Sequence, residues 1–168
     1  MAELITIQVD GRDYQGWKTF AVRRSLAAMS ASFTLGAADK WQLNHEDWVL
    51  FPGKEIKIFL GADSLLWGYI DSVTPSIGPG THELSITGRD RTGDLVDCSA
   101  VNTPGTWRNV SLLSILKDLA SPFDILVRAE TDIGSNFREF SLQQGETVHE
   151  AMSRAAKLRG VVLQGGAE

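Results

Sequence analysis

Lys54-Glu55-Ile56-Lys57-Ile58-Phe59-Leu60 alternates residue by residue, with Ile56, Ile58 and Leu60 on one face and Lys57 and Phe59 on the other. That period of two predicts a half-buried strand. Gly61-Ala62-Asp63 closes it, and Leu65 to Val73, with Trp67, Tyr69 and Ile70, runs back. Trp67 and Tyr69 share a face, and the core is the expected place for both. Upstream, Ile5, Ile7 and Val9 alternate with Thr6 and Gln8 before Asp10-Gly11, a hairpin signal. Trp17 to Arg24 reads as the return strand and Ser32 to Leu35 as a third. Downstream, Pro75, Gly78, Pro79 and Gly80 mark a long turn before His82 to Thr87, where Leu84 and Ile86 face inward. About six short strands at this spacing predict an antiparallel barrel or sandwich.

The period changes after Asn102 to Thr106, a Thr-, Pro- and Gly-rich stretch that reads as a boundary between residues 1–102 and 103–168. Leu112, Ile115, Leu116 and Leu119 fall on one helical stripe, capped by Asn109 or Ser111 and stopped by Pro122. Asp124 to Arg128 and Phe137 to Leu142 read as strands. Thr147 and Glu150 form a capping box for a helix that ends at Gly160, and Val161 to Gln164 begins another strand. The fold class expected is therefore mainly β with α+β: an antiparallel β-domain, then a small α+β domain. The last strand lacks a partner segment, so that domain reads as incomplete.

The 168 residues carry 16 Lys and Arg against 21 Asp and Glu, a net charge of −5. Interspersed signs with an acidic balance argue against nucleic acid as the main partner. No apolar run approaches the roughly 18 residues that cross a bilayer, and no secretory signal opens the chain, so synthesis in the cytoplasm without membrane insertion is expected. Cys98 is the one cysteine, which excludes an intrachain disulfide and a multi-cysteine metal site, and burial as a small apolar residue is its expected fate.

Little in the sequence carries catalysis. His45, His82 and His149 lack metal-ligand spacing, and no nucleophile elbow, Walker loop or dinucleotide fingerprint is present. Neither a catalytic residue, a metal nor a cofactor is expected. Asp90, Asp94 and Asp97 could suggest a glycosidase, but Arg89 and Arg91 interleave them and favour an ion-paired structural turn. Of five tryptophans, Trp41 and Trp48 lie in an irregular segment and are the interface candidates. The competing classes are a tail-associated cell-wall hydrolase and a carbohydrate-binding β module built on the tryptophans.

Several stretches, in this order, carry a resemblance. They are Val9-Asp10-Gly11-Arg12-Asp13-Tyr14-Gln15-Gly16-Trp17, Gly68-Tyr69-Ile70-Asp71, Gly88-Arg89-Asp90-Arg91-Thr92-Gly93-Asp94-Leu95-Val96-Asp97-Cys98-Ser99, and Gly145-Glu146-Thr147-Val148-His149-Glu150-Ala151 leading to Arg159-Gly160-Val161-Val162-Leu163. Together they resemble the Mu-like phage baseplate hub proteins, the gene P tail proteins of contractile-tailed phages and prophages. The resemblance implies a structural virion protein with a β-barrel like that of tail-tube subunits. It implies a homotrimer at the baseplate centre that joins the tail tube protein to the central spike protein. Members of that family are longer and carry two barrels, whereas this sequence has room for one. Arg89, Asp90, Arg91 and Asp94 are then candidates, with Trp41 and Trp48, for contacts between domains or subunits through charge pairs.

Overall fold

The computed structural model describes residues 5–14, 17–38, 50–78 and 81–166, and fixes only the backbone of Ala38, Thr81 and His82. Trp41, Trp48 and His45 lie outside the described residues. The chain divides into two compact units, one running to Arg91 and the other from Thr92 to Gly165. The Thr-, Pro- and Gly-rich stretch at 102–106 falls inside the second.

The first unit is one antiparallel sheet. Its strands are β1 (Ile5–Val9), β2 (Arg12–Tyr14), β3 (Trp17–Ser25), β4 (Ala28–Ala38), β5 (Glu55–Leu60), β6 (Asp63–Gly78) and β7 (Thr81–Asp90). The order across the seven strands is β2-β1-β5-β6-β7-β4-β3, which leaves β2 and β3 at the edges. Asp10 and Gly11 both take positive φ, 49° and 78°, and close a two-residue β1–β2 turn whose twist suits a hairpin. The return strand of that hairpin is therefore β2, whereas β3 pairs with β4 at the far edge. Pro75 lies within β6 and not in a turn. Past Ile70 no strand among the described residues pairs with the other side of β6, and an open edge tolerates a residue without an N–H.

One face of this sheet makes the core. Ile7, Val9, Phe33, Leu35, Ile56, Ile58, Leu66, Ile70 and Ile86 are buried in a single cluster with Leu50. The alternation read in β5 holds: Ile56 and Ile58 are fully buried, and Lys57 is on the opposite face. A bulge at Asp71 inserts one residue into β6, so that Val73 and Ile86 again share the core side. Trp67 and Tyr69 do share a face, but it is the half-buried one away from Leu66 and Ile70. The correction has a physical cause. Parity is set by Leu66, Gly68 and Ile70, which fill the core side and leave the large aromatics outside.

The second unit holds β8 (Thr106–Val110), β9 (Phe137–Ser141), α1 (Gly93–Asp97), α2 (Leu112–Ala120) and α3 (Val148–Lys157). Leu112, Ile115, Leu116 and Leu119 are buried along α2, and Val148, Ala151, Met152 and Ala155 along α3, which pack together. Ser111 caps α2, its hydroxyl accepting from Ser114 N at 3.2 Å. Thr147 and Glu150 exchange both capping-box bonds. Trp107 pairs with Phe140 across β8 and β9, and its indole donates to Asp118 at 2.8 Å. Residues 124–128 and 161–164 form no ladder among the described residues. Thr147→Ala is expected to cost about 1 kcal/mol, the usual loss for an N-cap, read as a lower urea midpoint.

Candidate functional site

Two of the stretches that carry the resemblance are neighbours in the sheet. Gly68 faces Asp90, Tyr69 faces Arg89 and Ile70 faces Gly88 across β6 and β7. Small residues are required at this crossing. A Cβ on Gly68 would collide with the Arg89 carbonyl, and one on Gly88 with the Tyr69 carbonyl and the Phe33 ring. Glycine is used here because another backbone or ring comes too close for any side chain.

Several of the charged residues take partners from elsewhere in the sheet, where their spacing suggests a turn of mutual ion pairs. Residues 88–90 are the end of strand β7, so successive side chains point to opposite faces. Asp90, 5% exposed, lies on the core side and accepts from Ser30 Oγ at 2.8 Å and from the Ala31 amide at 2.9 Å. It therefore ties the end of β7 to the start of β4. Arg89 lies on the other face, and its Nε donates to Asp71 at 3.0 Å, the bulged residue of β6. Arg91 donates its amide to the Trp67 carbonyl at 3.1 Å and stacks its guanidinium 4.7 Å from the Trp67 ring centre. Lys57 approaches the same ring to 4.3 Å. Asp94 belongs to the second unit, in the first turn of α1, where its carbonyl accepts from Cys98 N. Cys98 is exposed and not buried, because it caps the C-terminal end of that short helix. Asp90→Ala leaves the Ala31 amide buried without its acceptor. We expect a loss of about 2 kcal/mol in thermal unfolding of the β unit, within the range for an unsatisfied buried donor.

A second knot involves Glu146, whose carboxylate accepts from Gln143 N at 2.6 Å and from Arg154 Nη2 at 2.7 Å and Nε at 3.2 Å. Arg154 also donates to the Ser141 carbonyl and lies 4.4 Å from the Phe140 ring centre. The capping box beside it follows from local spacing, but this pair does not, because Glu146 precedes α3 and Arg154 lies two turns into it. On the outer face of α3, Ser153 Oγ and His149 Nε2 are 3.1 Å apart in a cleft of about 520 Å³. The nearby Glu150 carboxylate accepts from Thr147 N at 2.8 Å as part of the cap. Among the described residues no group of three or more His, Cys, Asp or Glu could hold a metal ion, and no helix is long and apolar enough to cross a membrane.

Comparison with known proteins covers both units. Residues 4–90 match the family described as Mu phage baseplate assembly protein GpP-like, N-terminal, and residues 92–167 match baseplate hub protein gp44-like, second domain. Baseplate hub protein gp44 of Escherichia phage Mu is 34% identical over 170 residues, covering 99% of this chain and 44% of its own length. The chain thus spans less than half of that relative. Among solved structures, the 43 kDa tail protein of prophage MuSo2 from Shewanella oneidensis superposes with a TM-score of 0.89 at 35% identity, over 99% of this chain and 53% of that one. The tail protein from Neisseria meningitidis MC58 shares the fold, with a TM-score of 0.74 at 22% identity over 92% of this chain and 46% of its own. On the strength of these matches, the chain belongs to the Mu-like phage baseplate hub family.

Proposed function

We propose that this chain is a structural component of a contractile phage tail baseplate, a central hub that joins tail tube to spike by assembling as a homotrimer, without catalysis. The observation that carries the reading is what the family stretches are used for. Gly68, Gly88 and Asp90 hold β4, β6 and β7 in register instead of lining a cleft.

The architecture proposed is a tube-like β-barrel followed by an α+β domain. One face of a single sheet supplies the core of the first unit, and such a face is covered when the sheet curls on itself. Arg24 of edge strand β3 donates to the Leu65 carbonyl of β6, a reach that supports curling. Contacts between subunits or domains are proposed to use Arg89 and Arg91 on the outer face, with Trp41 and Trp48. Asp90 and Asp94 are proposed to set the register of that stretch. The protein would reside in the virion tail after assembly in the host cytoplasm, with the tail tube and spike proteins as partners.

Light scattering over a concentration series tests the assembly. A mass three times that of the chain, independent of concentration, is expected, and a monomer throughout would overturn the trimer. Arg89→Ala is expected to weaken association while changing unfolding free energy by less than about 1 kcal/mol, as for an exposed ion pair. An unchanged association constant would remove Arg89 from the interface. No clearing of peptidoglycan suspensions is expected.

A further inference from the structure

The second unit uses one pattern twice. Trp107-Arg108-Asn109-Val110 on β8 matches Phe137-Arg138-Glu139-Phe140 on β9, position for position. Trp107 faces Phe140 and Val110 faces Phe137, so exchanging the two segments exchanges the two pairs, as a local twofold through the ladder requires. The helices correspond as well. Ser111 and Thr147 are the caps, and the side chain of each accepts from the amide three residues on. Leu112, Ile115 and Leu116 then match Val148, Ala151 and Met152, all buried. Each helix is followed by a left-handed residue, Asp124 at φ 53° and Gly160 at φ 66°. The next amide, of Ile125 or Val161, donates back to the carbonyl of Ala120 at 3.5 Å or of Ala156 at 3.2 Å. The apolar runs Ile125-Leu126-Val127 and Val161-Val162-Leu163 follow, and the central residue of each is exposed. Self-similarity of this kind, in sequence and in fold together, marks an internal repeat.

Two differences break the repeat, and they go together. In the first copy the cap Ser111 follows Val110 directly, whereas in the second residues 141–146 stand between Phe140 and the cap Thr147. At the equivalent place on the helices the first copy has Asp118 and the second has Arg154. Asp118 serves its own strand, accepting from the Trp107 indole. Arg154 instead holds the added segment at both ends, donating to the Ser141 carbonyl at 2.9 Å and to the Glu146 carboxylate at 2.7 Å. The Glu146 end is where another segment docks. The Glu146 carbonyl accepts from Ala100 N at 2.9 Å, Val148 N donates to the Cys98 carbonyl at 3.0 Å, and Ser99 bridges to Thr147 between them. The strap Cys98–Ala100, which follows α1, is tied down by these bonds.

We infer that the second unit is one strand–helix motif present twice, and that residues 141–146 are an addition to its second copy that seats the strap Cys98–Ala100, with Arg154 as the positioning residue. The buried stripes of α2 and α3 lie outside both the addition and the strap, so these two segments open together while the helices stay packed. Native-state hydrogen exchange on the full chain tests this. The amides of Ala100, Gln143 and Val148 should exchange as one group, at least about 10-fold faster than those of Leu116 and Leu119 in α2. A single rate for the strap and α2 overturns the separate opening. Arg154→Asp, which puts the first copy's residue into the second, should speed that group about 10-fold more than it speeds α2. Equal acceleration of both would make Arg154 part of the common core and overturn its positioning role. Deleting residues 141–146 from the Arg154→Asp chain should leave a second unit that keeps its helical circular dichroism and melts cooperatively, with the Ala100 amide unprotected. Loss of the helical signal would overturn the duplication. All of these readouts are independent of assembly.

Discussion

Gly88→Ala is expected to unfold the β unit or to cost it at least about 3 kcal/mol, the upper end for overpacking a core. Gly88 stands between Ile70 on β6 and Phe33 on β4, and an added Cβ meets the Phe33 ring and the Tyr69 carbonyl. A ring can change rotamer at modest cost. The carbonyl cannot move without shifting the β6–β7 ladder that aligns the rest of the sheet. Combining Gly88→Ala with Phe33→Leu should therefore recover only part of the loss. Denaturant unfolding followed by circular dichroism checks this. A midpoint within error of the parent chain would show that the strands yield more easily than the contacts imply.

Glu146→Ala is expected to cost the second unit about 3 kcal/mol, the lower end for breaking a buried ion pair. The Glu146 side chain is 8% exposed and that of Arg154 is 29% exposed, so the charge left behind retains some access to water. Removing the carboxylate also strands the Gln143 amide, next to the point where Ala100 N donates to the Glu146 carbonyl. Glu146→Gln keeps an acceptor and should lose about half as much. Arg154→Lys should fall between, since lysine supplies neither the two-pronged bond nor the flat stack on Phe140. In a unit of this size each kcal/mol moves the thermal midpoint by about 4–8 °C, so the loss is measurable by calorimetry. A shift below about 4 °C for Glu146→Ala would mean that the pair is energetically idle.

Both sites were only partly legible beforehand. The strand β5, the stripes of α2 and α3 and the Thr147 capping box follow from local spacing, and all four stand in the structure. Short β8 was not visible, because Thr106 to Val110 has no alternation long enough to register, and α1 has only five residues. Pro75 pointed to a turn because proline's local preference carries no information about which sheet edge is open. The Arg89 to Asp94 stretch read as an ion-paired turn because adjacent opposite charges suggest mutual neutralisation. A strand separates such neighbours onto opposite faces and hands each a partner from elsewhere: Asp71 for Arg89, the Ser30–Ala31 backbone and hydroxyl for Asp90.

The sequence by itself determined what depends on near neighbours: the type of the strongly periodic elements β5, α2 and α3, the apolar side of those two helices, the Asp10-Gly11 turn and, through its ordered motifs, the hub family. These follow from dihedral preferences and periodicity, which act over a few residues. Only the tertiary structure decided which strands lie side by side and which face of β6 is the core. It also decided that Gly68 and Gly88 are pressed against other backbone, and that Glu146 meets Arg154. Those outcomes depend on register between distant segments, where one residue of slip, such as the bulge at Asp71, exchanges the inside for the outside.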